Sequence, residues 1–299
     1  MTQPLTLSTA LMLLLPPLLW AGNAVVGRLV NDMVPPITLN FLRWAIALLI
    51  MLPFATAIFR RGSGLLTHWR RYALLGLLGV GMYNALQYLA LQTSTPINVT
   101  LVAASMPVWM LALGWMFFKA PVSRRQLLGA VLSIAGVLFV LARGDWQQLL
   151  ALRLVPGDLY VLAATIAWSL YSWLLTRGRD EPAIRSNWAT FLVAQVLYGV
   201  AWSGVSAGAE WGLTDASIDW SWPLAAALLY VAIGPSMLAF RAWGVGVQRV
   251  GPAVAAFFNN LTPVFAALLS SAFLGEPPHL YHAVAFMLIV GGIVVSSRR

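Results

Sequence analysis

Two stretches decide the fold: QTSTPINVTLVAASMPVWMLALGWMFFKAPVSRRQLLGAVLSIAG, residues 92–136, and QRVGPAVAAFFNNLTPVFAALLSSAFLGEPPHLYHAVAFMLIVGG, residues 248–292. Laid together without a gap at an offset of 156, they match Gln92 with Gln248, Pro96 with Pro252, Pro107 with Pro263, Val108 with Val264 and Leu113 with Leu269. The register continues through Phe117 with Phe273, Pro121 with Pro277, Leu132 with Leu288 and Gly136 with Gly292. Leucines and valines coincide by chance in apolar sequence, but a register that aligns three prolines and a glycine marks an internal repeat. Trp20 and Trp168 correspond at the slightly different offset of 148.

Outward from these stretches the chain is apolar almost throughout. Of 299 residues 60% are hydrophobic and 9% charged, against about a quarter charged in a soluble domain, and a water-soluble surface cannot be built from that composition. Cutting at charges, Pro/Gly clusters and polar runs gives ten spans, near residues 6–30, 37–59, 71–94, 96–118, 125–142, 156–176, 186–206, 222–245, 252–274 and 279–297. Each supplies the roughly 20 residues that a helix needs to cross a bilayer. The first span has no Lys or Arg before it and no persuasive cleavage site after it, so it reads as a retained helix rather than a secretory signal.

With both termini in the cytoplasm, 13 of the 18 Lys and Arg fall on the inner side and seven of the nine acids on the outer. The positive-inside rule selects that orientation, in the inner (plasma) membrane, and requires an even number of spans. The net charge of +9 is then a topology signal, and the basic residues form no stripe for nucleic acid. The fold expected is all-α and polytopic, with residues 1–150 and 151–299 as two five-helix repeats. An odd number of spans per repeat forces the halves into opposite orientations, the arrangement of secondary transporters with a site near the midplane.

These residues resemble the drug/metabolite transporter superfamily in its ten-span EamA-type branch. The resemblance runs over nearly the whole chain and is carried by Trp20-Ala21-Gly22-Asn23, by Phe41-Leu42-Arg43, by the stretch around Pro107, and by Leu261-Thr262-Pro263-Val264-Phe265 with Phe273-Leu274-Gly275-Glu276-Pro277. Lys119-Ala120-Pro121 in the first half lacks the acid that Glu276 supplies in the second. The resemblance implies export of amino acids, other metabolites or drugs, and in some relatives nucleotide sugars. The aromatic-rich spans further resemble exporters of aromatic amino acids of the YddG type.

Paired helix breaks are the strongest pointer to a transporter site, and Pro107, Pro235 and Pro263 are the expected hinges, with Pro16-Pro17 interrupting span 1. Asn23, Asn84, Gln87, Ser105, Asn259 and Thr262 lie in apolar sequence on or beside these spans, with Tyr83 and Gln87 on one helical face. Each is either a hydrogen bond between helices or part of a cavity wall. Of the 14 tryptophans those near span ends belong to the interfacial belt. Trp109, Trp168 and Tyr171 lie away from the ends, where they either pack or line a path suited to planar substrates. Arg43, about seven residues into span 2, either holds a substrate carboxylate or ties up freed carbonyls, whereas Arg241 snorkels to the inner interface.

The lipid bilayer and a small-molecule substrate are the partners this implies. No cofactor or metal is called for, and the oligomeric state stays open. No GxxxxGK[ST] motif marks an ATP-driven pump. Every Asp, Glu and His falls in a loop or at a span edge, which argues against an intramembrane enzyme and against a proton-coupling group in mid-membrane.

Overall fold

The computed structural model describes residues 3–94, 96–142, 145–150, 153, 155–178, 180–274 and 279–298. The expectations placed on Thr95, Arg143, Arg179, Gly275, Glu276, Pro277 and Arg299 lie outside them. Among the described residues ten helical stretches are long and apolar enough to cross a membrane: α1 Leu7–Gly27, α2 Pro36–Phe54, α3 Trp69–Ala90, α4 Asn98–Phe118, α5 Arg124–Ala142, α6 Pro156–Leu175, α7 Trp188–Leu213, α8 Trp222–Val250, α9 Pro252–Leu269 and α10 Leu280–Ser297. They match the ten expected spans one for one.

The repeat is visible in the breaks. α4 consists of two helices, Pro96–Ala103 and Met106–Phe118, and α9 of two more, Pro252–Asn259 and Thr262–Leu274, so the interruptions fall at equivalent positions, 156 residues apart. The prolines act differently from the sequence expectation: Pro107 and Pro263 are the second residues of the restarted helices, where a missing N–H costs nothing. α3 and α8 contain π-helical turns at Leu77–Met82 and Ala232–Leu238, again about 156 apart. Pro235 lies within the second. Pro16-Pro17 is a correction, because α1 runs through both prolines as continuous helix.

Packing obeys the same symmetry. α3 and α4 pack on α6 while α8 and α9 pack on α1, and α2 meets α7 as α5 meets α10. At the last crossing a Cβ on Gly129 would meet the Gly292 carbonyl at 2.7 Å, and a Cβ on Gly292 would meet the Gly129 carbonyl at 2.7 Å. Backbones this close tolerate glycine only. Gly292→Val should therefore lower stability by about 1–3 kcal/mol through overpacking, read as a lower melting midpoint in detergent. Gly291→Val, one residue away with nothing within 4 Å of its Cβ, should leave the midpoint unchanged. Equal shifts for both would refute the crossing.

Polar ties fix the helix ends. At the end away from the termini, Glu210 of α7 caps α2, accepting from the Ile37 and Thr38 N–H groups at 3.0 and 2.7 Å. There too, the buried Asp158 in the first turn of α6 accepts from Ser94 Oγ, from Asn98 Nδ2 at 3.1 Å and from the Val155 N–H at 2.8 Å. At the end that carries the termini, Asp180 pairs with Arg71 at 2.7 Å and Arg185 at 3.4 Å and accepts from the Tyr72 hydroxyl at 3.2 Å. Burial pulls the Arg185 guanidinium below its usual pKa while Asp180 opposes that shift.

Candidate functional site

Where α8 passes α1, α2 and α6, the bundle is filled with rings. Trp168 is fully buried at the centre, with Trp20 edge-on at 5.2 Å, Tyr83 at 4.6 Å, Tyr171 at 5.0 Å, Phe240 at 5.2 Å and Trp243 at 5.5 Å between centroids. Trp44 closes onto Phe240 at 4.7 Å. Local geometry aims several of these rings. Gly79 lies in the α3 π-turn against Tyr171, with room for no side chain. The Tyr171 hydroxyl donates to Gln195 Oε1 at 3.0 Å, and Trp243 Nε1 donates to Ser172 Oγ at 3.0 Å.

The π-turn of α8 links this aromatic group to Arg43. Pro235 has no N–H to offer the Val231 carbonyl four residues back, and the Ser236 hydroxyl donates to that carbonyl at 2.8 Å. The Pro235 carbonyl accepts from Trp20 Nε1 at 3.2 Å. Ser236 Oγ in turn accepts from Arg43 Nε at 2.8 Å, while Arg43 Nη1 donates to Asn23 Oδ1 at 3.1 Å and to the Tyr88 hydroxyl at 3.5 Å.

Arg43 has zero exposure, and its Nη2 has no hydrogen-bond partner among the described residues. The ion pairs found there are His68–Glu181, Arg71–Asp180 and Arg185–Asp180, so no carboxylate neutralises Arg43. Its orphaned donor has company: Trp44 Nε1 and Trp168 Nε1 are likewise buried without an acceptor. A buried unsatisfied donor costs about 1–3 kcal/mol. Three N–H groups around one aromatic core therefore form a constellation short of acceptors.

The expected site residues divide into two groups. Asn23, Arg43, Tyr83, Trp168 and Tyr171 gather at the core just described, and Tyr83 interacts with Gln87 one turn along α3; Asn84 is buried beside them in sequence. Ser105, Trp109, Asn259 and Thr262 instead close the helix breaks. Ser105 Oγ donates to the Val102 carbonyl at 2.5 Å and accepts from Trp109 Nε1 at 3.1 Å, and Thr262 Oγ1 donates to the Asn259 carbonyl at 2.7 Å. Asn260 joins the two breaks, its Nδ2 donating at 3.3 Å to the carbonyl of Ala104, its equivalent at the 156 offset.

Sequence reasoning missed Ser236 and Tyr88 as partners of Arg43, and Trp44, Phe240 and Trp243 as walls. It also missed the π-turn of α3, although the offset carried back to Pro235 lands on Gly79 between other helix-weakening residues.

The chain matches the model of the EamA-like transporter family twice, over residues 7–142 and 155–298, five spans each. Among curated proteins it is 26% identical over 255 residues to an uncharacterized transporter, YyaM, of Bacillus subtilis, covering 85% of this chain and 80% of that one. It is 26% identical over 285 residues to the aromatic amino acid exporter YddG of Ancylobacter novellus, covering 94% and 93%. To a probable amino-acid metabolite efflux pump of Salmonella typhimurium it is 25% identical, covering 93% and 90%. A solved crystal structure shares the fold with a TM-score of 0.76 over 96% of both chains, at 23% identity.

Proposed function

We propose that this chain, which belongs to the EamA-like transporter family, is a secondary exporter of amino acids, chiefly large neutral and aromatic ones. The observation that carries this reading is the uncompensated Arg43 guanidinium beside the ring cluster. A carboxylate would give Arg43 Nη2 its missing acceptor through a charge-assisted bond. A planar side chain admitted when the packed rings of Trp20, Tyr83 and Trp168 part would meet them by edge and face contacts. The two relatives whose names carry amino acids agree with that chemistry.

In this reading the bundle sits in the inner membrane with the basic end and both termini in the cytoplasm. Residues 1–150 and 151–299 form the two repeats. Access alternates by rocking around the midplane, with the breaks of α4 and α9 and the π-turn at Pro235 as hinges. Membership of a transporter family and the absence, among the described residues, of a cluster of acids and histidines in mid-bundle favour transport over an intramembrane enzyme.

Counterflow in liposomes, with the purified protein and a panel of amino acids, nucleotide sugars and lipophilic cations, tests the substrate. Aromatic amino acids should exchange and the other two classes should not. The same vesicles test the energy source. Arg43 does not release its proton at accessible pH, and the acids lie at helix ends. With substrate equal on both sides, an imposed pH gradient should drive no net accumulation. Uphill uptake abolished by an ionophore would show instead that an edge group such as Asp158 couples protons to transport.

A further inference from the structure

The end of the bundle that carries the termini opens into a chamber of about 1070 Å³, walled by the turn between α4 and α5, the end of α6, the turn between α8 and α9, and the end of α10. Lys119, Arg124, Arg125, Arg177 and Arg298 line it, and among the described residues no Asp or Glu does. The acids at this end are engaged elsewhere: Asp180 with Arg71 and Arg185, Glu181 with His68. A bias of Lys and Arg to one side of a membrane explains why basic residues are plentiful here. It does not by itself explain their convergence on one concavity that no described Asp or Glu lines.

Two details indicate that the charge is built in. Lys119 is the one non-glycine residue with positive φ among those described, at 54°, where it ends the Met106–Phe118 helix and lets the Ala120 N–H reach the Gly114 carbonyl at 3.0 Å. Glycine is the usual occupant of that position, and a side chain there costs about 1–2 kcal/mol. The lysine keeps its charge on the chamber wall despite that cost.

The repeat supplies the second detail. At the opposite end, the start of the Pro96–Ala103 helix meets the Asp158 carboxylate through Ser94 and Asn98. Moved by 156 for Ser94 and Asn98, and by 148 for Asp158, that trio lands on Val250, Val254 and Ala10. The equivalent helix, Pro252–Asn259, begins at Gly251 with no side-chain cap, and its first-turn residues Ala253 and Val254 line the chamber. One end thus carries its own carboxylate; the other presents an uncapped helix start, which favours an anion, in a chamber that five cations also line.

We propose that this chamber is an oxyanion-binding vestibule, which captures the carboxylate or phosphate of a solute at the basic end and disfavours cationic solutes. Onward passage to Arg43 rests on the export reading above; capture does not.

Ser297→Cys places a single thiol on the chamber wall of a protein that has no cysteine. In nanodiscs of phosphatidylcholine, its reaction rates with the anionic sulfonatoethyl and the cationic trimethylammonioethyl methanethiosulfonates are compared, each normalised to a free thiol. Charged clefts raise local counter-ion concentration by about tenfold or more, so the anionic reagent should be favoured about tenfold. The preference should fall towards one at about 1 M salt, where screening acts within roughly 3 Å, and in the Lys119→Gln, Arg124→Gln, Arg298→Gln triple variant. Millimolar citrate or inorganic phosphate should slow the anionic reagent. If the Ser297→Cys protein does not fold, Val254→Cys on another wall reports the same ratio. A ratio of one or below overturns the proposal. A ratio that citrate and phosphate leave unchanged, but that phosphatidylglycerol in the discs lowers, overturns solute capture in favour of lipid headgroups. Because the ratio needs no transport, it stands or falls independently of the counterflow result.

Discussion

Arg43→Met should abolish most transport while leaving the protein at least as stable as the parent. An arginine near the bilayer centre costs about 3 kcal/mol on insertion scales, and Arg43 has only neutral partners, Ser236, Asn23 and Tyr88, to offset this. Removing the charge relieves that cost. It also leaves Asn23 Oδ1 without its arginine donor, so the net change in melting midpoint should be small. Transport should respond very differently. A charge-assisted hydrogen bond is worth about 1.5–3 kcal/mol and about 1.4 kcal/mol is a factor of ten, so kcat/KM should fall about tenfold to a hundredfold. Arg43→Lys should recover part of it, because the charge returns without the planar fork that reaches three partners at once. Counterflow of a labelled aromatic amino acid, paired with thermal denaturation in the same detergent, reads both quantities. A collapse in stability with transport per folded molecule unchanged would make Arg43 a structural residue that serves the π-turn of α8.

The scaffold was far more legible in the sequence than the site. Span positions follow from runs of apolar residues bounded by charge, and a bilayer imposes that length on every helix, so α1 to α10 emerge from local sequence alone. The breaks in α4 and α9 were legible because prolines mark them twice, at one offset. Pro16-Pro17 misled for a physical reason: adjacent prolines inside a packed helix cost hydrogen bonds but do not by themselves end it when neighbouring helices hold it in place. The site resisted because its contacts join distant segments. Ser236 lies 193 residues from Arg43, and nothing in Gly234-Pro235-Ser236 by itself says that the hydroxyl will bridge a freed carbonyl and a guanidinium. Trp44 and Trp243 are indistinguishable in sequence from the tryptophans of the interfacial belt until the packing shows them at the core.

Trp168 separates packing from recognition more sharply than any other wall residue. It is fully buried, five rings lie within 5.5 Å of its own, and its Nε1 has no acceptor. Trp168→Ala deletes the centre of the cluster and should cost about 3–5 kcal/mol, enough to depress yield together with transport. Trp168→Phe asks a narrower question. It keeps much of the aromatic volume and removes the indole N–H, a buried donor whose lack of a partner costs about 1–3 kcal/mol, a relief that offsets the cost of the smaller ring. The phenylalanine protein should therefore melt no lower than the parent. If Nε1 meets an acceptor on the substrate, KM for an aromatic amino acid should rise about tenfold while the maximal rate changes little, the pattern of an interaction made equally in the ground and transition states. A filler role for Trp168 predicts the reverse, unchanged KM with a modest loss of stability from the smaller ring. Counterflow kinetics of the two variants, set against their melting midpoints, decide between a ring that packs the bundle and one that reads the substrate.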